Sequence, residues 1–285
     1  MSNRVEIFEV GPRDGLQNEP GFIATPQKVR LIDTLAEAGF ARIEVASFVS
    51  PKWVPQMADG AQVMEGVTRR DGLAQWALTP NLRGYHGARA AGADGVAVFG
   101  AASEGFSRAS LNCSIDESFD RFEPVLEAAQ ADGIPVRGYV SCVTDCPYDG
   151  PVAPDAVARV AERLFSMGCS EISLGDTIGK GVPERIDAML AAVEQVVPVA
   201  ALAGHYHDTN GRALENIEVS LERGLRVFDA AVGGLGGCPY APGAAGNVAT
   251  EAVIDRLAQL GFEIGLDRAT VARAAEMARG LRAAA

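Results

Sequence analysis

Val5-Glu6-Ile7-Phe8-Glu9-Val10-Gly11-Pro12-Arg13-Asp14-Gly15-Leu16-Gln17-Asn18-Glu19 sets a pattern that the rest of the chain repeats. A short β-rich run over 5–10 ends at Gly11 and Pro12, which stop a strand, and Gly15 permits backbone angles that other residues avoid. Arg13 and Asp14 therefore stand side by side just beyond a strand's C-terminal end. An ion pair fixed there is poorly placed for packing and well placed for a ligand. A surface turn carrying an ordinary ion pair is the alternative.

Strand-like and helix-like segments alternate outward from this unit to the end of the chain. Further strands are expected at 42–48, 74–80, 95–99, 135–142, 171–177, 201–208 and 226–232. Helices are expected at 26–38, with Thr25 as N-cap and Gly39 as the stop, and at 54–67, 82–91, 115–131, 154–167, 183–197 and 213–223. Residues 101–114 read as a long polar loop, and helices over 248–260 and 267–281 close the chain. Strict alternation implies a parallel sheet. Eight β/α units closing on themselves give an α/β fold of the TIM-barrel type, a (β/α)8 barrel with extra C-terminal helices over about 262–285, forming one catalytic domain over 1–285. An open doubly wound sheet is the runner-up, and the missing Gly-x-Gly-x-x-Gly after the first strand weakens it.

The 285-residue length suits such a barrel, which typically needs roughly 250 residues. The net charge of −12 argues against a nucleic-acid partner, which needs a basic face. No apolar run approaches the roughly 18 residues of a membrane span. Five scattered cysteines suggest a reducing compartment, and a strand that begins almost at Met1 leaves no room for a targeting peptide. A cytoplasmic location is expected.

In a TIM barrel the active site lies at the C-terminal ends of the strands. The distinctive polar residues fall there. Arg13 and Asp14 follow strand one, Glu44 lies in strand two on the face shared with Ala46, and Asp176 ends strand six. His205-Tyr206-His207-Asp208 ends strand seven. Residues i and i+2 of a strand share a face, about 7 Å apart, so both imidazoles can converge on one ion. Addition of Asp14 to the set favours a hard ion such as Mg²⁺ or Mn²⁺. Two core histidines bonded to backbone are the alternative. His86, on a helix, reads as a surface residue. The segment 233–247 is rich in glycine and reads as a mobile loop, a lid carrying Cys238 as a reactive thiol. Asn247, just before a helix, reads as an N-cap on its context alone. Cys142 and Cys146 read as structural.

These stretches carry a resemblance. The chain resembles the 3-hydroxy-3-methylglutaryl-CoA lyases nearly end to end, through 11–19, 44–59, 171–179, 205–211 and 234–247. The Gly-Leu-Gly-Gly-Cys-Pro-Tyr-Ala run is specific to these lyases, whereas Arg-Asp after strand one and His-x-His on strand seven are shared across the metallolyase superfamily. The resemblance implies a metal-dependent carbon–carbon lyase that splits 3-hydroxy-3-methylglutaryl-CoA into acetyl-CoA and acetoacetate, as in leucine catabolism and ketone-body formation. It implies an acyl-CoA substrate, a divalent cation (Mg²⁺ or Mn²⁺) and a homodimer. Asp14, His205, His207 and Asn247 match the family's metal ligands, which for Asn247 overrides the N-cap reading. Arg13 matches the residue that meets the thioester and its enolate, Glu44 a supporting carboxylate, and Cys238 the loop cysteine of proton transfer. Gln17, Ser47, Ser173 and Asp176 match substrate-lining positions, as does Arg13. Tyr206 and Asn210 depart from the cysteine and tyrosine of animal members, which alters the pocket wall. Pro20 replaces a basic residue there, leaving Lys52 or Arg83 to meet the CoA phosphates. A superfamily lyase or aldolase acting on another 3-hydroxyacyl-CoA or hydroxy keto acid is the competing reading, and a non-catalytic metal or acyl-CoA binding protein is the third.

Overall fold

The computed structural model describes residues 3–238 and 241–284, with the backbone alone at 237, 238, 241–244 and 284. Eight parallel strands close a barrel: β1 (Glu6–Glu9), β2 (Arg42–Ser47), β3 (Ala74–Leu78), β4 (Gly95–Ala101), β5 (Val136–Ser141), β6 (Glu171–Asp176), β7 (Leu202–Tyr206) and β8 (Val227–Ala230). Each strand pairs with its neighbours in sequence, and β1 pairs with β8 to close the ring. The connecting helices are α1 (Thr25–Glu37), α2 (Gly60–Gly66), α3 (Leu82–Ala90), α4 (Glu104–Leu111), α5 (Ile115–Asp132), α6 (Pro154–Ser166), α7 (Pro183–Val193), α8 (Ala213–Glu222), α9 (Thr250–Gln259) and α10 (Arg268–Ala284). The expected barrel with extra C-terminal helices is the observed fold. Among the described residues no helix is long and apolar enough to cross a membrane.

Period-2 alternation explains the two faces of the wall. Ile172 and Leu174 of β6, Val136 and Val140 of β5, and Phe228 and Ala230 of β8 join the apolar layer beneath the helices. The residues between them point into the lumen, because their bonds reach strands that are not neighbours. Arg137 of β5 bonds Asp229 of β8, Arg42 of β2 bonds Glu171 of β6, and Tyr139 of β5 bonds Glu44 of β2. Branched apolar layers usually fill such a lumen; charged pairs occupy much of it here.

The seam between the first and last strands has its own clasp. Glu9 Oε1 accepts from the backbone N–H of Gly11 and of Val232, both at 2.9 Å, and Oε2 accepts from the Thr250 hydroxyl at 2.6 Å. One buried carboxylate thus joins the end of β1, the exit of β8 and the start of α9.

Several local expectations are corrected. Residues 104–111 form α4 rather than loop, turning Phe106 and Leu111 into the protein while Glu104 and Arg108 pair on the outside. The N-cap of α1 is Ala24, and Thr25 instead donates its hydroxyl to Asp59 at 2.7 Å. In β2 the pairing slips by one between Glu44 and Ala46, so Ala46 leaves Glu44's face and lies beside Gly60 of α2. Gly15 has no left-handed backbone. It is glycine because a Cβ there would stand 2.6 Å from Cβ of Leu235.

Candidate metal and active site

β1 runs into one wide turn of π-helix over Gly11–Gly15, in which the amides of Arg13, Asp14 and Gly15 all point at the Val10 carbonyl, at 3.2, 2.8 and 3.2 Å. Such turns recur at functional sites. This one lifts Arg13 and Asp14 over the barrel mouth. The Arg13 side chain donates to both of its acidic neighbours, Nε to Glu44 Oε2 at 2.6 Å and Nη1 to Asp14 Oδ1 at 2.6 Å. Among the described residues no acceptor takes Arg13 Nη2.

Three ligand-type atoms meet beside that guanidinium. Asp14, His205 and His207 each present one within 4.8 Å of the others. His205 Nε2 lies 3.3 Å from His207 Nε2 and 3.8 Å from Asp14 Oδ2. Asn247 completes the group by donating its amide to Asp14 Oδ2 at 2.8 Å. It is no N-cap, since that position of α9 belongs to Ala249. Burial works to raise the Asp14 carboxyl, but Arg13, the two histidines and Asn247 outweigh it and hold the value near 2. Burial and the neighbouring His205 push His207 down to about 4. At neutral pH this set offers a carboxylate and an uncharged imidazole, with a buried His207 Nδ1 that has no partner among the described residues. Mixed oxygen and nitrogen donors of this kind suit a divalent cation.

The site opens into a cavity of about 320 Å³ lined by Arg13, Asp14, Gln17, Tyr139, His205 and His207, with Leu78 and Phe99 as apolar wall. Gln17 also donates to Asp14 Oδ1 at 3.3 Å. Glu44 is wholly buried beneath Arg13, with Oε1 unpartnered among the described residues. Desolvation raises its pKa against the pull of Arg13.

Other expected site residues fall elsewhere. Ser173 is buried and gives its hydroxyl to Asp229 at 3.0 Å, away from the cavity wall. Asp176 turns into the protein, accepting from the Thr144 hydroxyl at 3.0 Å and the Gly181 amide at 2.8 Å. Ser47 lines a separate cleft together with Arg83. Tyr206 and Asn210 leave the pocket wall too: Tyr206 is buried against Ser220 of α8 at 2.8 Å, and Asn210 bonds the Gly179 carbonyl at 2.9 Å. The Cys238 side chain lies outside the described residues. The backbone of Gly237–Cys238 pairs with Ala241–Ala245. His86 is exposed on α3, and Cys142 and Cys146 are buried thiols, as expected.

Arg137, Tyr139 and Asp229 carry no motif, yet they complete the site. Tyr139 donates to Glu44 Oε2 at 3.2 Å and accepts from Arg137 Nη1 at 3.0 Å, and Arg137 grips Asp229 at both oxygens. Asp229 meets His205 Nδ1 at 2.9 Å. A closed circuit results, running Asp14, Arg13, Glu44, Tyr139, Arg137, Asp229, His205 and back to Asp14. Strand register held the only clue, because it places Arg137, Tyr139 and Asp229 opposite the apolar helix-facing set.

Comparison with known proteins agrees with this geometry. The HMGL-like family model matches residues 4–278. The mitochondrial hydroxymethylglutaryl-CoA lyase of Gallus gallus is 58% identical over 264 residues, 93% of this chain and 89% of that protein. The HMG-CoA lyase structure from Brucella melitensis shares 59% identity at a TM-score of 0.97, covering 98% of this chain and 99% of that one. An HMG-CoA lyase from Acinetobacter baumannii in complex with coenzyme A and 3-methylmalate shares 34% at a TM-score of 0.94, covering 99% and 92%. With a barrel, a metal-ready rim and end-to-end identity above one half in agreement, the chain belongs to the HMGL-like family, among its hydroxymethylglutaryl-CoA lyases.

Proposed function

We propose that the cavity above Asp14, His205 and His207 is where the protein performs its reaction, cleavage of 3-hydroxy-3-methylglutaryl-CoA to acetyl-CoA and acetoacetate. The carrying observation is the meeting of Arg13 with three ligand-type atoms in one cavity. The tertiary alcohol of the substrate must lose a proton, the thioester carbonyl must become an enolate, and the carbanion must be protonated.

Asp14, His205, His207 and Asn247 would hold the divalent cation, Mg²⁺ or Mn²⁺. When bound, that ion lowers the pKa of a substrate hydroxyl and neutralises a carboxylate. Arg13 has two nitrogens fixed by Glu44 and Asp14, which leaves Nη2 preorganised to donate to the enolate oxygen. One such donor is typically worth roughly 3–4 kcal/mol of barrier. Glu44 and Tyr139 hold Arg13 in place from below. Cys238 supplies the proton that quenches the carbanion; a free thiol near pKa 8.5 is a competent acid at roughly neutral pH.

The CoA portion leaves the cavity along a cleft of about 300 Å³ that shares Gln17, Asn18 and Val54 with it and ends between the exposed rings of Phe22 and Trp53. Lys52, whose ammonium lies 5.4 Å over the Trp53 ring, is the phosphate contact there. Arg83 lines a different cleft, which favours Lys52 of the two. The relative solved with coenzyme A supports an acyl-CoA substrate. The described cysteines are all unbonded thiols, which supports a reducing, cytoplasmic setting, and the resemblance supports a homodimer. Turnover on a panel of 3-hydroxyacyl-CoAs and hydroxy keto acids tests the substrate. The methylglutaryl thioester should be cleaved fastest; faster cleavage of another member would reassign the acyl group.

A further inference from the structure

Asp229 lies in β8 with its side chain fully buried, and both its carboxylate oxygens are engaged. Arg137 Nη2 donates to Oδ1 at 2.6 Å and Arg137 Nη1 to Oδ2 at 2.9 Å. The Ser173 hydroxyl donates to Oδ2 at 3.0 Å, and His205 Nδ1 stands 2.9 Å from the same oxygen. We infer that Asp229, held by Arg137, is a positioning residue of the metal centre that fixes His205 as the Nδ1–H tautomer and so aims the Nε2 lone pair at the ion. The inference rests on His205 being a metal ligand.

An ionised carboxylate only accepts hydrogen bonds, and a guanidinium only donates. Two parallel N–H bonds from Arg137 therefore keep Asp229 an anion and fix its plane. The contact to His205 then requires the proton on Nδ1, and in a neutral imidazole Nε2 is left as the acceptor. Nε2 is the atom that faces His207 Nε2 and Asp14 Oδ2. The two imidazoles are unequal in this respect. His207 Nδ1 is buried with no partner among the described residues. His205 is thus the ligand whose tautomer the protein sets in advance, whereas among the described residues no hydrogen bond to Nδ1 sets that of His207. Arg137 is itself tied by Nε to Glu171 at 2.6 Å, and Glu171 to Arg42 at 3.0 Å, so the brace runs to the far end of the lumen.

A purely structural Asp229 that only neutralises Arg137 would leave the His205 proton and the metal affinity alone, and this separates the two roles. The chain has three histidines, of which His86 is exposed on α3, so ¹⁵N labelling of the imidazoles gives an assignable spectrum. In the metal-free full-length protein, at alkaline pH where the rings are neutral, His205 should carry its proton on Nδ1. Asp229→Asn should mix or reverse the tautomer and weaken Mn²⁺ binding about 10–100-fold by calorimetric titration. A wild-type His205 protonated on Nε2 overturns the inference, whether or not any variant folds. An Asp229→Asn protein with unchanged tautomer and unchanged Mn²⁺ affinity overturns it as well. His205→Ala that binds Mn²⁺ as tightly as wild type removes the ligand reading beneath it, while leaving the wild-type tautomer measurement intact.

Discussion

Arg13 makes sense of its neighbours. A lone guanidinium over a barrel mouth would swing among acceptors; this one is clamped by Glu44 and Asp14 and rests against the Tyr139 ring, 5.5 Å from its centroid. The clamp keeps one face of the fork free for a ligand at little entropic cost on binding. The enolate stabilisation proposed for Arg13 still needs an acid for the carbanion, the role proposed for Cys238. Cys238→Ala should keep Mn²⁺ and substrate binding while lowering kcat by at least about 10²-fold, the lower end of general acid catalysis. Unchanged kcat would take the thiol out of the mechanism. Asp14, His205 and His207 were legible in the sequence because carboxylate and imidazole at strand ends have few other uses. Ser173 and Asp176 were placed in the substrate wall by resemblance. Their side chains instead serve Asp229 and the Thr144–Gly181 region, a matter of packing that spacing does not encode.

At the scale of elements, the alternation of strand and helix gave the barrel, since eight parallel units have one common way to close. The departures have local causes. Helix α4 hides in a polar stretch because only Phe106, Ser107 and Leu111 face inward. The slip in β2 lies in hydrogen-bond register, which side-chain periodicity alone does not report. Glu9 has no signature either, being one acid in a strand, yet it holds β1, β8 and α9 together. Burial raises its carboxyl to about 7, against the pull of Thr250, Val232 and Gly11, from an ordinary value of 4.5. With the folded value above the unfolded one, the folded state binds this proton more tightly. The stabilisation is then complete below 4.5 and is lost as pH rises through about 7. Glu9→Gln cannot titrate, so wild-type stability minus variant stability should shrink with rising pH across that window in urea melts. A pH-independent difference would show that Glu9 does not titrate there.

For the molecule as a whole, the unusual feature is a charged lumen. Arg137 and Asp229 are both fully buried. Moving such a pair out of water costs more than a hydrophobic filling of the same volume, so stability is a poor reason for it. The circuit through Asp229, His205, Asp14, Arg13, Glu44 and Tyr139 gives a better one, a rigid frame that holds Asp14, His205 and Arg13 in register for the roles proposed for them. Arg137→Leu leaves Asp229 uncompensated and should destabilise the protein by about 3–5 kcal/mol; a loss near zero would mean that the circuit is not a coupled unit.

The most direct measurement of the central claim is to incubate the purified protein with 3-hydroxy-3-methylglutaryl-CoA and Mg²⁺, with EDTA in a parallel sample, and to follow acetyl-CoA and acetoacetate together. Equal amounts of both with Mg²⁺, and neither with EDTA, are the predicted result. No product from bound substrate, or product that survives EDTA, would contradict the metal-assisted cleavage assigned to Arg13, Asp14, His205 and His207.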